Sequence, residues 1–181
     1  MKITIQNANP EDVLGNSEVF YYGWLDTYPN KECGITREDI EDRFKNGRNP
    51  EALEKKRKQI IELTVNEKLF NAKDGEKIVG VCRLRKSERE GELTAIYILS
   101  EYRGGGIGKM FWNEALKFFD NSKDIIVKVA TYNTKAIEFY KKLGFSETGE
   151  VFSDENFRMK SGAVIPETKM VIKANLTLRI M

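Results

Sequence analysis

The sequence predicts an α/β domain built on one mixed sheet with helices on both faces. Strand-length apolar segments recur at 2–7, 67–73, 77–86, 92–99, 124–130, 145–153 and 168–174. Between them lie amphipathic segments with recognisable helix caps. From 92 to 151 the order is strand, helix, strand, helix, strand, and such crossovers put helices on both sides of a sheet. With 181 residues, 40% of them apolar and 32% charged, the chain is long enough for one sizeable core.

Each element has a local cause. Residues 2–7 alternate as a strand and lack the apolar core of a signal peptide. Asn9-Pro10-Glu11-Asp12 opens the first helix, with Asn9 as N-cap, Pro10 at the first position and acids in the first turn. Phe20, Tyr21, Trp24, Leu25 and Tyr28 give it a broad aromatic face, and Pro29 ends it. The second helix starts at Thr36; Asp39 stands where a capping box needs an acid, and Ile35 and Ile40 occupy the staple positions. The third begins at Asn49-Pro50 and carries Lys55-Lys56-Arg57-Lys58, read as a solvated basic face with anion binding as the alternative. Strands 67–73 and 77–86 flank Asp74-Gly75, a hairpin signal, and Cys82 reads as a small buried apolar residue.

A charged loop from Ser87 to Gly91 leads into the strand at 92–99. Ile107, Met110, Phe111, Ala115, Phe118 and Phe119 then form the stripe of a core-facing helix. Residues 124–130 are nearly continuously apolar, as in a strand covered on both faces. Asn133 caps a helix over 133–143, with Ala136, Ile137, Tyr140 and Leu143 on one face, Lys141 and Lys142 in the last turn and Gly144 as the stop. Strands at 145–153 and 168–174 flank the polar stretch 153–166, and 175–181 reads as an extension.

Composition excludes several functions. A net charge of +2 gives no global field for nucleic acid. No apolar run approaches the ~20 residues of a membrane span, so a cytoplasmic location is the default. Cys33 and Cys82 stand in unrelated contexts and suggest no disulfide framework. There is no histidine, which rules out Ser-His-Asp or Cys-His nucleophile systems and histidine-based zinc sites; no metal is expected. Proton transfer falls to Asp, Glu, Lys, Tyr, Cys or water.

The functional signal is Tyr102-Arg103-Gly104-Gly105-Gly106-Ile107-Gly108-Lys109, a glycine-rich turn between a strand and a helix. Such a turn gathers backbone N–H groups at the positive end of a helix dipole and suits a phosphate or pyrophosphate. It is not a P-loop: position 103 is not glycine, and Met110 replaces the hydroxyl after the lysine. Nor is it a dinucleotide loop, since the third glycine would fall on Lys109 or Phe111. The remaining pattern, Arg103-x-x-Gly106-x-Gly108, resembles the acyl-CoA pyrophosphate loop of the GCN5-related N-acetyltransferases (GNAT). Asn133-x-x-Ala136-x-x-x-Tyr140 with Gly144-Phe145 is similar to a second signature of that family. The resemblance covers roughly 67–173.

The resemblance implies acetyl-CoA as cosubstrate and transfer of acetyl to a primary amine. It divides the chain into acceptor-side elements at 1–62 and an acyl-CoA core at 63–174, within one domain over 1–174. Arg103, Gly104, Gly105, Gly106, Ile107, Gly108 and Lys109 would hold the pyrophosphate, mainly through backbone donors. Ile96 and Ile98 would line the pantetheine arm, with the Ile98 N–H donating to the thioester oxygen; Asn133 and Ala136 would contact the same arm. Tyr140 would protonate the departing thiolate, and Glu92 would act on the amine directly or through water. Trp24, Tyr28 and Tyr97 are acceptor-side candidates, with Asp26, Glu32 and Glu38 beside them; core packing is the alternative for the aromatics. The acceptor is expected to be a small amine such as a polyamine, a weak likeness to bacterial polyamine acetyltransferases. Acetylation of a protein N-terminus or lysine, and a non-catalytic CoA-binding module, are the alternatives. The resemblance also leaves room for a homodimer.

Overall fold

A computed structural model describes residues 2–120 and 122–174; the extension expected at 175–181 lies outside them. The strands are β1 (Ile3–Asn7), β2 (Glu67–Asp74), β3 (Lys77–Lys86), β4 (Glu90–Ile98), β5 (Asp124–Ala130), β6 (Ser146–Ser153) and β7 (Pro166–Ile172). The helices are α1 (Val13–Thr27), α2 (Arg37–Phe44), α3 (Pro50–Ile61), α4 (Ile107–Phe118) and α5 (Thr134–Lys142). One sheet runs in the order β1-β2-β3-β4-β5-β7-β6, antiparallel except for β4–β5. This is the mixed α/β architecture the sequence predicts. Among the described residues no helix is long and apolar enough to cross a membrane.

The caps act as local chemistry dictates. Thr36 and Asp39 form a reciprocal capping box, and Asn49 and Asn133 accept from the N–H groups of Ala52 and Ala136. Asn9 caps a short 3-10 turn, Pro10–Asp12, that runs into α1 instead of capping α1 itself. The Asp12 carboxylate is drawn back to the Asn9 N–H (2.9 Å) and across to Lys73 (2.8 Å), which pins that tight turn to β2. The hairpin centre is Gly75-Glu76, one residue later than Asp74-Gly75, because Asp74 pairs with Lys77. β4 starts at Glu90, two residues earlier than expected, since its pairing with β5 begins there.

Two apolar layers sandwich the sheet. On one face α4 brings Phe111, Trp112 and Ala115 onto Leu84, Leu93, Val127 and Met170. Trp112 is buried although the expected stripe omits it, while Met110 is only half-buried. On the other face Val19 of α1 meets Leu69, Ile78 and Val81, and Trp24 and Leu25 join Ile35, Ile40 and Ile165. Each fully buried side chain of this size is worth roughly 1.5–3 kcal/mol.

One irregularity positions the site. β4 pairs with β5 only from Glu90 to Leu93. At that point the β3–β4 register slips: Leu84 faces Leu93 but Arg83 faces Ala95, so Thr94 is an extra residue. Its hydroxyl donates to the Arg83 carbonyl at 3.0 Å. A bulge of this kind bends its strand. Beyond it β4 stays on β3, whereas β5 continues on β7 as far as Ala130, and a wedge opens between β4 and β5.

Candidate active site

The wedge exposes the edge of β4 at Ile96 and Ile98. The Leu99 N–H donates to the Val79 carbonyl at 2.9 Å. Antiparallel bonding alternates by residue, so Tyr97 also faces β3 and the N–H groups of Ile96 and Ile98 point into the wedge. The Ile98 carbonyl accepts from Arg103 Nε at 2.9 Å, leaving the N–H as the polar group presented at that residue.

At the end of β4 the chain turns into α4. Gly104 and Gly106 have φ of 81° and 83°, which only glycine adopts cheaply. The Arg103 N–H bonds to Ser100 and the Met110 N–H to Gly106. Among the described residues, the N–H groups of 104–109 between them find no backbone acceptor. With the α4 dipole behind them, this arrangement suits an anion. Gly108 has a further duty: a Cβ there would lie 2.9 Å from the Phe139 ring, so its smallness lets α4 lie against α5. Arg103 turns back to Asp26 (2.8 Å), stapling the end of β4 to α1, and Lys109 is exposed.

A cavity of about 710 Å³ lies at the wedge. It brings together Glu92, Ile96, Tyr97, Asn133, Ala136 and Tyr140 with Trp24 and Tyr28 of the first 62 residues. Ile98 and the turn 103–109 lie outside its lining, as do Asp26, Glu32 and Glu38. Asp26 is taken by Arg103, and the other two acids are exposed. Sequence reasoning missed Lys128, Asp154 and Glu167, which also line it. Glu167 is the one acid of the strand Pro166–Ile172, which was expected to begin only at 168.

Electrostatics differentiates these groups. Tyr140 is buried on α5, its ring edge-on to Phe145, and burial drives its phenol well above the usual value, with Cys82 and Tyr28 adding to the shift. It therefore keeps its proton at neutral pH. Asn133 uses Oδ1 to cap α5 at 3.1 Å, which leaves its amide N–H₂ for a ligand. Glu92 is 12% exposed and gripped by Arg85 (2.5 Å) and Lys128 (3.3 Å). The hydroxyls of Tyr28 and Tyr97 share a hydrogen bond of 2.8 Å, and Tyr132 donates to the Tyr28 carbonyl at 2.8 Å. Burial pushes Tyr28 up to about 12 and raises Tyr97 well above the usual phenol value. Glu167 is also raised: burial dominates, Lys128 opposes it, and Asp154 and Glu92 reinforce it.

Comparison with known proteins agrees with this geometry. The family model described as "Acetyltransferase (GNAT) family" matches residues 35–145, more than half of the chain. The peptidyl-lysine N-acetyltransferase YjaB of Salmonella typhimurium is 38% identical over 63 residues, 35% of this chain and 41% of that protein's length. The PaiA N-acetyltransferase of Thermoplasma acidophilum, solved in complex with coenzyme A, superposes with a TM-score of 0.73 at 22% identity, covering 96% of this chain and 99% of that one. Mutant forms of the spermidine/spermine N-acetyltransferase SpeG of Vibrio cholerae superpose with a TM-score of 0.61 at 22% identity, covering 98% of each chain. At these identities the two structures show a shared fold.

Proposed function

Because the chain belongs to the GNAT acetyltransferase family, we propose that it moves an acetyl group from acetyl-CoA to the primary amine of a small molecule, with polyamines first among the candidates. The observation that carries this is the cavity, where carboxylates (Glu92, Asp154, Glu167) and aromatic rings (Trp24, Tyr28, Tyr97) meet Tyr140 at the wedge. Carboxylates and ring faces attract an ammonium group. SpeG, whose fold this chain shares, is named for polyamines, which supports the preference.

The residues present fit acetyl-CoA. Its thioester supplies the activated acyl group. The N–H groups of 104–109 would hold the pyrophosphate, and the amide of Asn133 and the edge at Ile96 would guide the pantetheine arm. The Ile98 N–H would stabilise the carbonyl oxygen as it gains negative charge. Tyr140 would give its proton to the departing sulfur. Transfer is direct: Cys82 is fully buried, burial raises its thiol far above the usual range, and Cys33 does not line the cavity. Glu92, paired with two cations, would position the acceptor.

Peptide acceptors form the second reading, favoured by the peptidyl-lysine specificity named for YjaB. A panel of polyamines, monoamines, aminoglycosides, amino acids and peptides, read by CoA release, tests both. Polyamines or other small amines should give the highest kcat/KM. Release with peptides alone would overturn the small-molecule preference, and release with none would reduce the protein to a CoA-binding module.

A further inference from the structure

Glu167 differs from every other acid at the cavity. Its register partners are Ala130 on β5 and Phe152 on β6, which places it on the face of the sheet shared with Lys128. Glu67 is paired with Arg83, and Glu92 is committed to Arg85 and Lys128. Asp154 uses a carboxylate oxygen to accept the Asn156 N–H at 2.9 Å. Glu167 has no ion-pair partner within 4 Å among the described residues, although it is only half-exposed and lines the same cavity as Tyr140. A carboxylate left without a partner in such a setting costs stability unless it serves a ligand.

We propose that Glu167 is the carboxylate that takes the proton from the acceptor ammonium, while Glu92 organises the cations around it. This rests on the amine-acetylation reading above. The groups facing Glu167 are Lys128 of β5, Glu92 and Tyr97 of β4, Asp154 after β6, Tyr28 after α1 and Tyr132 after β5. The three phenols hold their protons, so none competes as the base. Among the described residues Lys128 is the cation that acts on Glu167, and Glu92 shares it. Burial also makes Glu167 more basic, which narrows the gap to an alkylammonium and suits a base working near neutral pH.

The step balances. The ammonium loses one proton to a Glu167 carboxylate oxygen, and the freed nitrogen lone pair forms the C–N bond to the acetyl carbon. The C–S bond breaks, its electron pair stays on sulfur, and sulfur takes the Tyr140 proton. The nitrogen's second proton restores Tyr140, and Glu167 releases its own to water.

The test compares Glu167→Gln with Glu92→Gln in steady-state kinetics from pH 5 to 9, with acetyl-CoA affinity by calorimetry. Carbon-13 NMR of the labelled glutamate carboxyls follows titration in the ligand-free protein. Glu167→Gln should lower kcat by roughly 10²-fold, abolish the acid limb of the profile and leave acetyl-CoA affinity and the melting temperature no lower than wild type. Glu92→Gln should raise the acceptor KM and keep the limb. One carboxyl resonance, missing in Glu167→Gln, should titrate above the ordinary glutamate range. A Glu167→Gln enzyme with normal kcat and an unchanged acid limb overturns the proposal while the amine reading stands. A wild-type enzyme that acetylates no amine overturns both.

Discussion

Tyr140 shows what a single residue's surroundings add to its chemistry. A tyrosine of ordinary acidity would ionise near pH ~10 and impose an alkaline limb on turnover there. Burial raises this phenol well beyond that point. The proton is therefore secure at every ordinary assay pH, and the alkaline limb from this group should lie above the usual range. Tyr140→Phe keeps the ring against Phe145 and removes only the donor. It should lower kcat by about 10²-fold with little change in acetyl-CoA affinity. Steady-state kinetics on both proteins checks this; a normal kcat would leave Tyr140 a packing residue. The role proposed for Tyr140 follows from the resemblance of Asn133-x-x-Ala136-x-x-x-Tyr140 to a family signature. The one proposed for Glu167 had no such cue, because nothing local distinguishes it from any strand-end acid.

The glycine turn is the element proposed to hold the cofactor, and its glycines are not equivalent. Gly104 and Gly106 need positive φ, and Gly108 needs room for Phe139. Gly105 needs neither: its nearest neighbour to a new Cβ is the Tyr102 carbonyl at 3.4 Å, an ordinary contact. Gly105→Val should therefore weaken acetyl-CoA binding by at least about 10-fold (1.4 kcal/mol) at an unchanged melting temperature. Gly108→Val should lose stability first, by about 1–3 kcal/mol as overpacking does, through α4 and α5 moving apart. Calorimetry paired with thermal melts separates the two effects. Equal loss of binding and stability in both variants would show that the turn is a purely structural connection. The turn itself was readable from four glycines and two basic residues within the eight positions 102–109, as were the caps at Thr36, Asn49 and Asn133, because each needs only neighbours in sequence.

At the scale of the molecule, the seating of α1 on β4 shapes the part of the cavity proposed for the acceptor. Gly23 faces the Tyr97 ring, where a Cβ would come within 2.6 Å of Cδ1. Alanine in a helix ordinarily gains about 0.5–1 kcal/mol over glycine. Overpacking costs about 1–3 kcal/mol, so the clash should win. Gly23→Ala should destabilise the fold, push α1 off β4 and break the Tyr28–Tyr97 hydroxyl contact. The acceptor KM should rise more than acetyl-CoA affinity falls, because Tyr97 lines the cavity directly while α1 reaches the turn only through the Asp26–Arg103 pair. An unchanged melting temperature and KM would mean that α1 does not set the shape of the acceptor pocket.

The sequence by itself determined the α/β class, the order of its elements and both signature segments. Periodicity, caps and turn glycines act over a few residues, and the chain spells them out. Only the tertiary structure decided where β4 leaves β5, since the slip at Thr94 depends on how three strands pair. It alone turned Arg103 toward Asp26, placed Gly108 against Phe139 and drew Glu167 beside Glu92 from 75 residues away. Those outcomes rest on contacts between distant segments, whose packing and desolvation no local pattern encodes.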